Sequence, residues 1–105
     1  MGRNPGTQEN ASGGGIRVVL SSHLTGYTGG RNEIELRATA SVGTLIGLLD
    51  VEFPGISQRL LDDQGEVRKF VNIFLDDEDI RERDGVNTSL SGVKEVVILP
   101  SIAGG

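Results

Sequence analysis

The sequence predicts an α+β domain in which a mixed sheet of four to five strands packs on one main helix. Two apolar segments with strand-like alternation precede a segment of helical periodicity, and further alternating segments follow it. A chain of 105 residues has room for one small core. Many of its 16 glycines lie near the two ends, which places the predicted core between them.

We divide the chain into a disordered leader (residues 1–15), a folded domain (16–100) and a flexible C-terminal tail (101–105). The leader, MGRNPGTQENASGGG, has almost no apolar side chain to offset the entropy lost on ordering. The tail, SIAGG, follows Pro100 and ends in two glycines.

The first two predicted strands form a hairpin. IRVVL places Ile16, Val18 and Leu20 on one face of a strand. After a glycine-rich turn, the second strand IELRATA alternates apolar residues with charged ones. The connection is short, which favours antiparallel pairing of the two strands.

The predicted main helix follows Ala40. Its apolar residues lie on one helical face: Leu45, Leu48, Leu49 and Phe53. Ser41 or Thr44 is expected to cap its start, and Pro54 is expected to end it. A short helical turn through ISQRLLDD comes next.

The remaining elements complete the sheet. RKFVNIFL carries apolar residues on both faces, as a central strand does, and DDEDIRERDGVNTSLSG has room for one brief strand. VKEVVILP is the last strand, which Pro100 ends. A hairpin, a crossing helix and a final strand that returns to the middle of the sheet define the ubiquitin-like β-grasp arrangement.

Composition excludes several classes of function. Ten basic against fifteen acidic residues give a net charge of −5, which disfavours nucleic acid as a partner. The absence of cysteine excludes disulfides, thiolate catalysis and sulfur-ligated zinc. The sequence has no apolar run long enough to cross a membrane, so we expect no membrane partner. We therefore expect a cytoplasmic protein, and we expect a monomer because the proposed use of the tail needs no self-association.

The Gly104–Gly105 ending is the strongest candidate site. Glycine lacks a Cβ, so a Gly-Gly tail can enter a narrow channel and leave its carbonyl carbon open to a nucleophile. A terminal carboxylate is a poor electrophile, and its activation requires a partner enzyme. The chain is therefore expected to be a protein substrate with no catalytic residues, metal or bound cofactor of its own.

A second candidate is a docking surface. If Val71, Ile73, Val96 and Ile98 face the helix, the opposite side of the sheet carries an apolar patch: Phe70, Phe74, Val97 and Leu99. This patch adjoins the tail and is expected to bind the activating enzyme. The alternative is a set of ordinary exposed apolar residues.

Three other features are weaker candidates. The acidic run from Asp76 to Asp79 fails the calcium-loop pattern and is expected to be a solvated turn. His23, the one histidine, is expected at the surface. Gly26, Gly29 and Gly30 lack the spacing of a phosphate-binding loop and are expected in turns.

From Ile16 to Gly105 the chain resembles the ThiS/MoaD family of β-grasp sulfur carriers. The ending VVILPSIAGG resembles the whole family, whereas PGISQRLLD, KFVNIFLDDEDIR and TGG are similar to the subgroup that supplies sulfide for cysteine synthesis. The resemblance implies that an E1-like enzyme uses ATP to adenylate Gly105, which then becomes a thiocarboxylate. The implied second partner is a sulfur-accepting synthase.

Three alternatives remain open. A ubiquitin-like modifier would use the same carboxylate to form isopeptide bonds with lysines. The small subunit of molybdopterin synthase would transfer its sulfur to a pterin. A plain interaction module would not use its Gly-Gly ending at all, so deleting Gly105 separates it from the others.

Overall fold

The computed structural model describes residues 15–100. Its strands and α-helices are, in chain order, β1 (Gly15–Leu20), β2 (Glu33–Arg37), α1 (Val42–Glu52), α2 (Ile56–Leu60), β3 (Val71–Leu75), β4 (Glu78–Asp79) and β5 (Glu95–Pro100). Three 3₁₀ helices lie in the connections: Ser22–Tyr27, Ile80–Glu82 and Gly85–Asn87. None of the helices within this range is long and apolar enough to cross a membrane.

The five strands form one mixed sheet in the order β2-β1-β5-β3-β4. β1 pairs antiparallel with β2 and parallel with β5, and β3 pairs antiparallel with both β5 and β4. The last strand therefore lies in the middle of the sheet. This order and the packing on α1 confirm the predicted β-grasp fold.

The core lies between the sheet and the helices. The predicted inward residues of β3 and β5 are all buried, namely Val71, Ile73, Val96 and Ile98. Helix α1 contributes four buried residues: Val42, Leu45, Ile46 and Leu49. Leu48 and Phe53 are only half-buried, so the apolar face of the helix is rotated from the predicted one toward Val42 and Ile46.

Helix α1 begins with a reciprocal cap in which both predicted residues take part. The Ser41 hydroxyl accepts a hydrogen bond from the Thr44 amide (3.3 Å), and the Thr44 hydroxyl accepts one from the Ser41 amide (3.0 Å). Two amide groups that the first turn would leave unpaired are thus satisfied. Phe53 is the C-cap, immediately before Pro54, as the sequence indicated.

The structure corrects several predicted boundaries. β1 starts at Gly15, because this residue pairs with Arg37 of β2. β2 ends at Arg37, three residues before the end of the predicted strand at Ala40. The β1–β2 connection contains a 3₁₀ helix capped by the Ser21 side chain, where a glycine-rich turn was predicted. The predicted leader and tail, apart from Gly15, lie outside the described residues.

Candidate functional site

The tail leaves the domain from the centre of the sheet. Pro100 is the last residue of β5 and pairs with Val71, the first residue of β3. Five residues separate Pro100 from the chain end printed in the sequence, which in extended form span about 17 Å. Gly104 and Gly105, the predicted adenylation site, lie outside the described residues.

Three of the four predicted docking residues share the sheet face that points away from the core. Phe74 lies opposite Val97 in the β3–β5 ladder, and Leu99 lies opposite Asn72. Directly opposed residues point to the same side of a sheet. Leu99 is 38% exposed, while Phe74 and Val97 are half-buried.

Val19 is a further member of this outer face that was not among the predicted docking residues. Val19 is the β1 partner of Val97 and is half-buried, so Val19, Val97 and Phe74 form a continuous apolar row across three strands. The alternation of IRVVL contained the signal, because a strand that turns Val18 and Leu20 inward turns Val19 outward. We call Val19, Phe74, Val97 and Leu99 the outer patch.

Charged residues border the outer patch on the side away from the tail. Arg17 lies 3.6 Å from a carboxylate oxygen of Glu33 and 3.8 Å from one of Glu95. These side chains are largely exposed, so the pairs contribute little to stability. An apolar centre with a charged rim is the usual composition of a protein-binding surface.

Phe70, the fourth predicted docking residue, lies one position before β3 and is 51% exposed. It lines a groove of about 350 Å³ at the end of the domain from which the tail leaves. The other residues that line this tail-exit groove are His23, Leu24, Gln58, Arg59, Arg68, Val71 and Pro100. Apolar side chains and cationic side chains thus lie together beside Pro100.

Arg81 holds the chain at the start of β3, a role that no local sequence pattern indicates. Its guanidinium donates hydrogen bonds to the Asn72 side chain (2.8 Å) and to the Val71 carbonyl (2.6 Å). It also reaches the carbonyls of Arg68 and Lys69, both at 3.2 Å. Arg81 therefore fixes the segment that pairs with the end of β5.

The first half of the acidic run is a tight hairpin turn, as expected, whereas Glu78 and Asp79 form strand β4. Asp76 and Asp77 occupy the two central positions of the β3–β4 turn with φ of 47° and 87°. The Asp76 carboxylate accepts hydrogen bonds from the Lys94 and Glu95 amides and so secures the start of β5. No group of residues suited to hold a metal ion occurs within residues 15–100.

His23, Gly29 and Gly30 lie where the sequence predicted them, whereas Gly26 does not. His23 is exposed, and its Nδ1 lies 3.1 Å from the Ser21 hydroxyl. Gly29 and Gly30 have φ of 67° and 91°, values that turns require and that side-chain-bearing residues rarely adopt. Gly26 lies within the 3₁₀ helix after β1, a part of the connection for which the sequence had indicated a turn.

The carboxyl group of Asp50, within the described part of the chain, has a lowered pKa. Hydrogen bonds from the amide and hydroxyl of Ser57 hold the pKa of this carboxyl below its usual value, and the Gly55 amide adds to the effect. Partial burial opposes the shift. Asp50 joins α1 to the start of α2 and lies outside the outer patch and the tail-exit groove.

The fold and the exposed central-strand end define a protein of the ubiquitin-like β-grasp class. The model of the ThiS family matches residues 18–105. The chain belongs to the ThiS family.

Named relatives agree with this assignment. The sulfur carrier protein CysO of Mycobacterium tuberculosis is 35% identical over 92 residues, which cover 86% of this chain and 98% of the relative. The crystal structure of the Amycolatopsis orientalis BexX/CysO complex contains a chain with a TM-score of 0.77 and 30% identity, covering 86% of this chain and 99% of its own. Small archaeal modifier protein 3 of Haloferax volcanii is 35% identical over 66 residues, 63% of this chain and 71% of that protein.

Proposed function

We propose that this protein is a sulfur carrier whose C-terminal Gly105 carries the sulfur as a thiocarboxylate for cysteine biosynthesis. The observation that supports the proposal is the match to the ThiS family, which extends through Gly105. The 35% identity to a sulfur carrier protein over nearly its full length supports it further.

The proposed chemistry takes place on partner enzymes. The Gly105 carboxylate attacks the α-phosphorus of ATP on an activating enzyme, and pyrophosphate leaves. Hydrosulfide from a sulfur donor then attacks the carbonyl carbon, AMP leaves, and a thiocarboxylate remains. The carrier contributes a slender Gly-Gly end and a docking surface, and the catalytic groups and ATP site belong to the activating enzyme.

Intact-mass measurement tests the proposal. The protein isolated from its own cells is weighed first, which shows whether its last residue there is Gly105. Incubation with the activating enzyme, ATP and sulfide is then expected to add about 16 Da, the difference between sulfur and oxygen. A variant that lacks Gly105 serves as the control, and equal mass gain in that variant would refute the proposed site.

The similarity to small archaeal modifier protein 3 supports a second candidate, a protein modifier that forms isopeptide bonds through the same carboxylate. The two functions differ at the acceptor. Immunoblots of cell extract would show high-mass conjugates for a modifier and only the free chain for a dedicated carrier. Conjugates without any thiocarboxylate would overturn the carrier proposal.

We further propose that the outer patch binds the activating enzyme, with Phe70 at the edge of the contact. Phe74→Ser and Leu99→Ser are expected to weaken the complex about tenfold each, because apolar residues at an interface centre contribute most of its affinity. Val51 provides a matched control, since it is an apolar residue of α1 that is 77% exposed and absent from the sheet. If Val51→Ser weakens binding as much as Leu99→Ser, the outer patch is not the contact.

A further inference from the structure

The tail-exit groove has a mixed character that the outer patch does not share. Leu24 and Val71 are buried, Phe70 and Pro100 add apolar surface, and Arg59, Arg68 and His23 supply polar side chains with positive charge on the two arginines. Both arginines are exposed, and neither forms an ion pair within residues 15–100, although the Arg68 Nε donates a hydrogen bond to the Gln58 carbonyl (3.0 Å). Their charge is therefore open to a ligand.

The charge of this groove contrasts with the charge of the whole chain. The protein carries fifteen acidic and ten basic residues, yet acidic side chains are absent from the groove lining within the described region. Asp62 and Asp63 line the neighbouring cavity, which Arg68 also borders. The Asp62 carboxylate already accepts hydrogen bonds from the Gln64 and Glu66 amides.

Position links the groove to the proposed reaction. Pro100 lines the groove and is also the last residue before the tail, so a protein that grips the tail next to Pro100 comes close to this surface. Arg59 lies on α2 and Arg68 just before β3, both in the ordered domain. The groove is therefore preformed beside the segment that the activating enzyme must grip.

We propose that the tail-exit groove binds an acidic segment of the activating enzyme, with carboxylates at Arg59 and Arg68 and one apolar side chain against Phe70. This inference rests on the proposed function. The outer patch supplies apolar affinity, and the groove supplies charge complementarity that selects this partner and speeds its encounter. A segment of the partner that carried lysine or arginine would be repelled by the same two guanidinium groups.

Charge reversal tests the groove. Arg59→Glu and Arg68→Glu are each expected to raise the KM of the activating enzyme for the carrier about tenfold in ATP–pyrophosphate exchange and to reduce its salt dependence. Arg59 makes no side-chain hydrogen bond within the described residues, whereas Arg68→Glu loses one bond to the Gln58 carbonyl, so thermal unfolding of both variants checks that the fold is intact. Arg37→Glu is the matched control, an exposed arginine on the sheet edge strand β2.

The outcomes separate the two proposals. Normal exchange by the unaltered protein, with the same KM for the groove variants as for Arg37→Glu, would overturn the groove proposal alone. Absence of exchange with the unaltered protein would overturn the proposed function and the groove proposal with it. Inorganic phosphate is added in a parallel NMR titration, and saturable shifts of the Arg59 and Phe70 amides would identify a small-anion site in place of a protein-binding one.

Discussion

Replacing Arg81 with alanine is expected to destabilise the domain by about 2 kcal/mol. The guanidinium makes four hydrogen bonds, one to the Asn72 side chain and three to main-chain carbonyls between Arg68 and Val71. Because Arg81 is exposed, each bond contributes at the low end of the usual range, about 0.5 kcal/mol. For a domain of this size the loss corresponds to a fall in Tm of about 10 °C.

Thermal and urea unfolding, followed by circular dichroism, measure this loss. Arg83→Ala is a matched control, because Arg83 is also an exposed arginine close in sequence but makes a single ion pair, with Glu78 at 2.7 Å. An exposed pair of this kind contributes about 0.5 kcal/mol. Arg81→Lys is expected to fall between the two, since an ammonium group cannot span four acceptors. Equal losses for Arg81→Ala and Arg83→Ala would refute the inference that Arg81 fixes the start of β3.

Three other predictions concern the ionisation of Asp50, the two faces of β5 and the backbone at Asp77. Asp50→Asn is expected to destabilise the protein at pH 7, because a lowered pKa stabilises the fold while the carboxylate is ionised. The difference in stability from the unaltered protein is expected to shrink as pH falls below about 4. A pH-independent difference in urea unfolding would contradict this. Ile98→Ala in the core is expected to lower the free energy of unfolding by about 3 kcal/mol, and Leu99→Ala on the outer face by about 1 kcal/mol. Equal losses would show that the inward and outward faces of β5 are wrongly assigned. Asp77→Gly is expected to stabilise the turn by about 0.5 kcal/mol, since φ is 87° there, and any loss of stability in the same assay would count against it.

The sequence predicted the elements whose residues repeat regularly. Alternation located β1, β3 and β5 and the inward side chains of the last two, including Ile73 and Ile98, because a buried face forces a period of two. The cap at Ser41 and Thr44 was predictable for a similar reason, since it depends on residues three positions apart. The predicted rotation of α1 was wrong, because Leu48 and Ile46 are equally apolar and the packing alone distinguishes them.

The contacts that the sequence did not predict join residues far apart in the chain or depend on an unusual backbone. Arg81 reaches carbonyls ten to thirteen positions earlier, which no local pattern encodes. The left-handed turn at Asp76 and Asp77 lacks the glycine that usually marks such turns. The tail-exit groove is lined from four parts of the sequence, near residues 23, 59, 70 and 100, and no local pattern indicates that they lie side by side.

The central position of β5 governs how the domain responds to mechanical force. An enzyme that draws the tail inward pulls on Pro100 along the axis of a strand that is bonded on one side to β1 and on the other to β3. Because β1 and β5 are parallel, tension between the first strand and the tail loads their hydrogen bonds together in shear and does not open them one at a time. The described domain is thus suited to resist a pulling force applied at Pro100, because many β1–β5 hydrogen bonds would have to break together.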